Sequence, residues 1–213
     1  MAEKKLLLID GNSVAFRAFY ALYNSVDRFT NHDGLHTNAL YGFNTMLDKL
    51  LKTEEPSNIL VAFDAGKKTF RTEKFAAYKG NRNKTPKELT EQLPYFPDLL
   101  AGYGIKSYQL VNFEADDIIG TMAKAAENQG YQVTIVTGDR DLTQLTTDKV
   151  TVAVTKKGVS EVEYYTPEYI AEKFAGLNPR QIIDMKALVG DSSDNYPGVT
   201  KVGEKTAIKL LTQ

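Results

Sequence analysis

Lys4-Lys5-Leu6-Leu7-Leu8-Ile9-Asp10-Gly11-Asn12-Ser13 is the stretch on which the fold is decided. An apolar run of strand length, without polar alternation, reads as a strand buried on both faces. It stops at Asp10-Gly11-Asn12, a turn signature, and Ser13 is placed to cap the helix that follows. Val14, Phe16, Phe19, Tyr20 and Tyr23 give that helix its apolar face. The same phrase recurs downstream. Ile59 to Phe63 is a second buried run and ends in Asp64; Val133 to Val136 is a third and leads into Thr137-Gly138-Asp139-Arg140-Asp141. Val150 to Val154 is a fourth. Between them, apolar spacing predicts helices over 38–51, 89–103 and 116–128. Glu114 stands at the start of the last, and Pro94 and Pro97 must sit early in the middle one or break it. Strands alternating with helices describe an α/β domain around a mostly parallel sheet. In such sheets ligands bind beyond the carboxyl ends of the strands, where Asp10, Asp64, Asp139 and Asp141 all fall.

From Thr166 the character changes. Thr166-Pro167-Glu168 opens a helix with proline at its first position, and Asn178-Pro179 opens another. Gly-rich turns follow at 190–194 and 197–203, so the tail reads as helical. The organisation expected is therefore a core over 1–165 and a helical region over 166–213. With 213 residues, 42% of them hydrophobic, the chain can bury a sizeable core. No apolar run approaches the ~18 residues of a membrane span, and no signal-peptide pattern opens the chain. The absence of cysteine excludes disulfides, thiolate metal sites and a cysteine nucleophile. His32 and His36 read as surface or capping residues rather than ligands.

The net charge of −1 conceals a strong asymmetry. Between Lys67 and Lys87 eight cations face the single acid Glu73, with Phe70, Phe75 and Tyr78 interleaved. Aromatics among cations suit single-stranded nucleic acid, where rings stack on bases and Lys or Arg meet phosphates. Acids gather elsewhere in knots: Glu114, Asp116 and Asp117, then Asp139 and Asp141, then Asp191 and Asp194. Taken singly, each acid could be a turn or cap residue. If Asp10, Asp64 and these seven share a cleft, each like-charged pair at 4 Å costs about 4 kcal/mol at an effective dielectric of ~20. Divalent cations or retained protons must relieve that repulsion. Donor sets of oxygen alone suit Mg²⁺, Mn²⁺ or Ca²⁺ and argue against zinc. So many acids suggest two ions, the usual arrangement for phosphodiester cleavage.

The motifs, taken in order, identify a family. Leu8-Ile9-Asp10-Gly11-Asn12-Ser13, Phe63-Asp64 with Thr69-Phe70-Arg71, and Tyr78-Lys79-Gly80-Asn81-Arg82 come first. Glu114-Ala115-Asp116-Asp117 and Thr137-Gly138-Asp139-Arg140-Asp141-Leu142 follow. Gly190-Asp191-Ser192-Ser193-Asp194-Asn195 and Pro197-Gly198-Val199 through Gly203-Glu204-Lys205-Thr206-Ala207 complete the set. The chain resembles the flap endonuclease family, in particular the 5′ nuclease (5′-3′ exonuclease) domains of bacterial DNA polymerase I.

That resemblance implies a PIN-like, resolvase-like α/β nuclease core with a helical arch at about 67–90 and a C-terminal helix-hairpin-helix region. It implies a first metal site from Asp10, Asp64, Glu114 and Asp116, and a second from Asp139, Asp141 and Asp191 with Asp194 beside it. Lys79 and Arg82 match arch cations that contact the scissile phosphate, and Asp117 matches a supporting acid of the catalytic group. Arg71 and Tyr78 fall among DNA contacts, Tyr78 by stacking on a base. Gly198, Val199, Lys201, Gly203, Lys205 and Thr206 match a hairpin whose amides grip duplex phosphates, often with K⁺. The implied activity is structure-selective hydrolysis of DNA in replication (primer removal) and repair, using two Mg²⁺ with Mn²⁺ as substitute. The implied partner is DNA with a 5′ flap or 5′ end at a single-strand/duplex junction, met by a monomer in the bacterial cytoplasm at the nucleoid. A polymerase domain would follow in the intact chain, and the helical region would continue past Gln213.

One departure stands out: many family members have glycine where this chain has Lys201, which loosens the hairpin turn or brings Lys201 to phosphate. Gly198 to Thr206 also mimics a P-loop, but its spacing is one residue too long and no strand precedes it, so ATP is not expected. The alternative reading is a module of the same fold that binds flaps without cutting; the intact set of acids argues for the enzyme.

Overall fold

Lys5–Asp10 (β1) is flanked in parallel by Asn58–Ala62 (β2) on one side and by Gln132–Thr137 (β4) on the other. Lys106–Tyr108 (β3) extends the β2 side, and Val150–Thr155 (β5) extends the β4 side, both in parallel. Val162–Tyr165 (β6) closes that side antiparallel, giving the order β3-β2-β1-β4-β5-β6. The computed structural model describes residues 3–156, 158 and 161–213.

The alternation of β1 places its residues in two different cores. Leu7 and Ile9 meet Val14 and Phe19 of Gly11–Ala21 (α1) and Phe43 and Leu47 of Asn38–Glu54 (α2). Leu6 and Leu8 face Ile118, Ile119 and Ala123 of Ala115–Asn128 (α6) on the opposite side. At about 1.5–3 kcal/mol for each fully buried large apolar side chain, this double burial is what the unbroken Leu-Leu-Leu-Ile run provides.

The structure corrects two sequence expectations. Ser13 is not the cap of α1; Asp10 is, accepting the Ser13 amide at 3.0 Å, because the helix begins at Gly11 with no loop after the strand. Ser13 instead accepts the Gly138 amide through Oγ at 2.7 Å, tying α1 to the end of β4. The stretch 89–103 is not one helix. Downstream of the short helix Phe70–Lys74 (α3), it is split between Lys87–Thr90 (α4), a 3₁₀ turn at Leu93–Tyr95, and Phe96–Gly102 (α5). Pro94 and Pro97 lack the N–H that a continuous helix would need. Gln92, buried at the break, accepts the Ala39 and Leu40 amides at 2.8 and 3.2 Å and so caps α2 from outside.

Beyond the sheet, Thr166 caps Pro167–Lys173 (α7), accepting the Tyr169 amide at 3.2 Å. Gln181–Val189 (α8) and Glu204–Leu211 (α9) pack on one another, with Ile182, Met185 and Ala207 joining the α6-side core. Gly190–Asp191 (β7) and Tyr196–Pro197 (β8) pair as a small hairpin between them. Gly190 and Gly198 cross there so closely that a Cβ on Gly198 would lie 2.2 Å from the Val189 carbonyl oxygen. Among the described residues no helix is long and apolar enough to cross a membrane.

Candidate active site

The centre of the sheet delivers the acids. β2, β1 and β4 are neighbours, so Asp64, Asp10 and Asp139 leave adjacent strand ends although far apart in sequence. Asp10 is 5% exposed and accepts the Ser13 amide at 3.0 Å and the Thr137 hydroxyl at 2.9 Å. Burial pushes its carboxyl up to about 6 against those two bonds, and the neighbouring charges of Asp64 and Asp139 push the same way. Asp64 is held by its backbone, whose amide donates to Asn12 Oδ1 at 2.7 Å. Its carboxylate accepts the Ala115 amide at 2.8 Å, at the start of α6.

α6 supplies the next three acids. Glu114 is its N-cap and forms a capping box with Asp117, whose carboxylate accepts the Glu114 amide at 3.0 Å. Asp116 in the same turn is driven up to about 8 by burial first, then by Asp10 and Asp139. Asp117 moves the other way. Its burial opposes the shift, but two bonds from Arg71, at 2.7 and 2.8 Å, and the Glu114 amide hold it below the ordinary carboxylate range. Asp139 caps the 3₁₀ turn after β4, accepting the Asp141 amide at 2.8 Å while its own amide donates to Thr137 Oγ1.

The second group of acids closes the cleft from the helical region. Asp191 accepts the Ser193 amide and hydroxyl, each at 2.7 Å, and the Asp194 amide at 3.2 Å. Lys186 of α8 lies between Asp141 at 2.8 Å and Asp191 at 2.6 Å. Burial raises the Asp141 carboxyl, Lys186 works against that, and Asp139 adds to it. Burial would raise Asp191 too, but Lys186 and Ser193 outweigh it and hold it low.

Residues of the basic segment 67–87 cover these acids. Lys79 donates to Glu114 at 3.0 Å, and the Tyr78 hydroxyl lies 3.1 Å from both Glu114 and Asp194. Arg82 pairs with Asp194 at 2.6 Å. The backbone joins in: the Lys79 amide donates to the Asp194 carbonyl at 2.9 Å, and Asn81 to the Ser192 carbonyl at 2.6 Å. Asn195 returns a bond to the Ala77 carbonyl at 2.7 Å. Segments 77–82 and 192–195 are thus latched, with Lys79 and Asn195 both held at positive φ, 54° and 60°. The cleft between has a volume of about 460 Å³ and is lined by Arg71, Tyr78, Glu114, Asp116, Asp139 and Asp194 among others.

All nine acids flagged by the sequence therefore lie in or beside one cleft, interleaved with Arg71, Lys79, Arg82 and Lys186. Among the described residues, no three acids are drawn tightly enough together to form a finished metal cage. The donor set is oxygen only; Asp10 and Asp116 are raised by burial first and by neighbouring carboxylates next, and a divalent cation would favour their charged forms. Gly198, Val199, Lys201, Gly203, Lys205 and Thr206 form a separate feature at the start of α9. Lys201 adopts φ 65°, the left-handed conformation a glycine takes freely, and the Val202 amide still donates to the Val199 carbonyl at 3.0 Å. Sequence reasoning missed Lys186 and quoted Asn12 and Thr137 only inside motifs, with no role of their own. Only the need of Asp141 and Asp191 for a counter-cation could have pointed to the first.

A family model described as "5′-3′ exonuclease, N-terminal resolvase-like domain" matches residues 5–175. The chain belongs to the 5′-3′ exonuclease family. A second model of that family, its C-terminal SAM fold, matches residues 177–213. DNA polymerase I of Streptococcus pneumoniae (strain ATCC BAA-255 / R6) is 62% identical over 213 residues, covering 100% of this chain and 24% of that protein. DNA polymerase I of Bacillus subtilis (strain 168) is 60% identical over 211 residues, 99% of this chain and 23% of its own. The chain thus spans about a quarter of the length of these relatives. Among solved structures, T5 5′-exonuclease with zinc bound superposes with TM-score 0.77 at 26% identity, over 98% of this chain and 75% of that one. A bacteriophage T5 flap endonuclease pseudo-enzyme-product complex with DNA and metal ions gives 0.74 at 25% identity, over 98% and 75%. The flap endonuclease-1 of Methanococcus jannaschii, at 20% identity and TM-score 0.53, shares the fold.

Proposed function

We propose that this 5′-3′ exonuclease family chain is a divalent-metal-dependent, structure-selective nuclease that hydrolyses phosphodiester bonds at 5′ flaps and 5′ ends near single-strand/duplex junctions. The observation that carries the reading is the meeting of three adjacent strand ends and the N-terminus of α6 at one acid-lined cleft roofed by Lys79 and Arg82. Asp10, Asp64, Glu114 and Asp116 would hold one Mg²⁺, and Asp139, Asp141 and Asp191, with Asp194 beside them, a second; Mn²⁺ would substitute. Bound there, such ions supply an activated water and stabilise the leaving oxygen.

The chain's own residues do the rest. Asp117 fixes Glu114 through the capping box and fixes Arg71 through two bonds, so it positions rather than reacts. Lys79 and Arg82, now spent on Glu114 and Asp194, are the cations a scissile phosphate would recruit. Facing that phosphate, they would stabilise its developing charge. The Tyr78 ring, with the Lys79 ammonium 5.0 Å from its centroid, is a platform for an unpaired base. In this reading residues 1–165 carry most of the chemistry, and 166–213 add Asp191 and Asp194 to the cleft and grip the duplex. The turn from Gly198 to Thr206 offers backbone amides and Lys201 and Lys205 to phosphates, with K⁺ at the turn. The wider role proposed is primer removal and repair in the bacterial cytoplasm, as a monomeric nuclease unit; the likeness to DNA polymerase I supports a polymerase domain joined to it.

Cleavage of a 5′-flap DNA, labelled at both ends, in Mg²⁺ and then in Ca²⁺ tests this. Mg²⁺-dependent cutting at the junction, absent in Ca²⁺, is expected. Binding without cutting in Mg²⁺ and in Mn²⁺ would replace the proposal with a flap-binding module of the same fold.

A further inference from the structure

Outside the cleft, an apolar surface lies where β3 passes into α6. Val111 is 81% exposed and Tyr108 49%, and Leu110 and Phe113 are exposed beside them. Four exposed apolar side chains within the six residues 108–113 make this loop a candidate binding surface. The loop that carries them is tied down. The Phe63 amide donates to the Tyr108 carbonyl at 2.8 Å, and the Phe70 amide to the Asn112 carbonyl at 3.2 Å. Thr69 and Asn112 form an isolated parallel bridge. Phe113 packs on Phe70 with ring centroids 5.8 Å apart.

Phe70 links this surface to the cleft. The Arg71 guanidinium lies 4.6 Å from the Phe70 ring centroid while Arg71 itself lines the acid cleft. The surface is cationic as well as aromatic. No acid occurs between Ile105 and Phe113. Lys106 shares the exposed face of β3 with Tyr108, two residues on. Lys67, Lys68 and Lys74 are exposed on the neighbouring arch base and, among the described residues, they and Lys106 form no ion pair. A purely apolar docking face for protein would not need such a border. Rings with unpaired cations around them match a polyanion with exposed bases.

We infer that Tyr108, Phe113 and Phe70, bordered by Lys67, Lys68, Lys74 and Lys106, form a second platform that binds the unpaired 5′ strand of the substrate beyond the cleft. This rests on the flap-nuclease reading above and adds where the single strand lies. Bases stack on Tyr108 and Phe113, and the lysines meet the phosphates between them.

The experiment compares two DNAs by fluorescence anisotropy in Ca²⁺: a nicked duplex without a flap and the same duplex with a long oligothymidine 5′ flap. In Tyr108→Ser/Phe113→Ser, affinity for the long flap should fall about tenfold or more, since each stacked base carries about 1–3 kcal/mol. Affinity for the flapless nick should stay within about twofold, a margin of roughly 0.4 kcal/mol. Lys68→Glu/Lys74→Glu should show the same selectivity without touching an apolar residue. In the unmodified protein, 5-iodouracil placed along the flap should crosslink to Tyr108 or Phe113, whatever the stability of the variants. If the wild type cuts flaps but the variants bind both DNAs as tightly as it does, and no crosslink forms, the platform alone is overturned. If the wild type neither cuts nor prefers flaps, the nuclease reading falls and this inference with it. Concentration-dependent self-association lost in Tyr108→Ser/Phe113→Ser, with DNA affinity intact, would assign the surface to a second copy of the chain instead.

Discussion

Lys186 is a cation already seated among acids. It bridges Asp141 and Asp191, with 29% of its side chain exposed, and both carboxylates strengthen its hold on the proton against the cost of burial. A divalent ion in that half of the cleft must compete with it. Lys186→Ala is therefore expected to lower the metal-free melting temperature, since a bond to a charged group contributes about 1.5–3 kcal/mol. The same change should tighten Mn²⁺ binding several-fold in calorimetry; weaker binding would show that the lysine organises the ligands rather than opposing the ion. Asp116 and Asp10 make a different claim about the same cleft. A carboxyl with a raised pKa holds its proton more tightly folded than unfolded, so stability falls as pH rises from the unfolded value through the folded one. For Asp116 that window runs from 3.8 to about 8. Without metal, the chain should melt lower at pH 8 than at pH 5. Asp116→Asn should flatten the profile and raise the melting temperature at pH 8 while leaving it little changed at pH 5. A metal-free profile already flat in the wild type would refute the raised pKa. Asp10, Asp64 and Asp139 were legible from sequence because each closes its own apolar run, Asp10 and Asp64 at once and Asp139 after Thr137-Gly138. Lys186 was not, because its acids come from two other segments and nothing local marks it.

Elements differ in the same way. β1, β2, β4 and β5 are continuous apolar runs and read as buried strands at once. β3, Lys106-Ser107-Tyr108, is short and half polar, and β6 carries Glu163 in its middle, so neither has a buried-strand signature. Glu163 is what holds β6 against α7. Its carboxylate accepts from Tyr165, Tyr169 and Lys173 and pairs with Lys156 at 3.0 Å. Burial would raise its pKa, but those donors bring it down to about 2. The stability it contributes is present above the unfolded pKa of 4.5 and is lost as pH falls through about 2. Glu163→Gln should cost about 1–3 kcal/mol at pH 7 and almost nothing at pH 2, read by urea unfolding at both. An equal cost at both pH values would show that packing, not charge, holds the strand. The latch between 77–82 and 192–195 was invisible to sequence, since both segments look like polar loops. Asn81→Ala/Asn195→Ala removes two of its bonds without touching an acid of the cleft. Trypsin should then cut several-fold faster around Lys79 and Arg82; an unchanged rate would mean the ion pairs alone fix the arch.

At the scale of the molecule, the charge average misleads. A net charge of −1 and a pI of 6.2 predict little attraction for a polyanion. The structure distributes the signs unevenly: nine acids in or beside the cleft at the strand ends, offset in part by Arg71, Lys79, Arg82 and Lys186; Lys67, Lys68 and Lys74 without an ion pair among the described residues; and Lys201 and Lys205 at the start of α9. A duplex phosphate that meets a cation releases its condensed counterion, and each such contact adds about −0.9 to the slope of log affinity against log salt. Four or five cations in contact therefore give a slope of about −4, where the net charge would give one near zero. The acids oppose this attraction until they are neutralised. Adding Ca²⁺ at constant ionic strength should tighten binding of a 5′-flap DNA by about tenfold or more, the equivalent of removing one like-charge contact of about 1.4 kcal/mol. Binding that neither weakens with salt nor strengthens with Ca²⁺ would mean that the separated charges do not face the DNA.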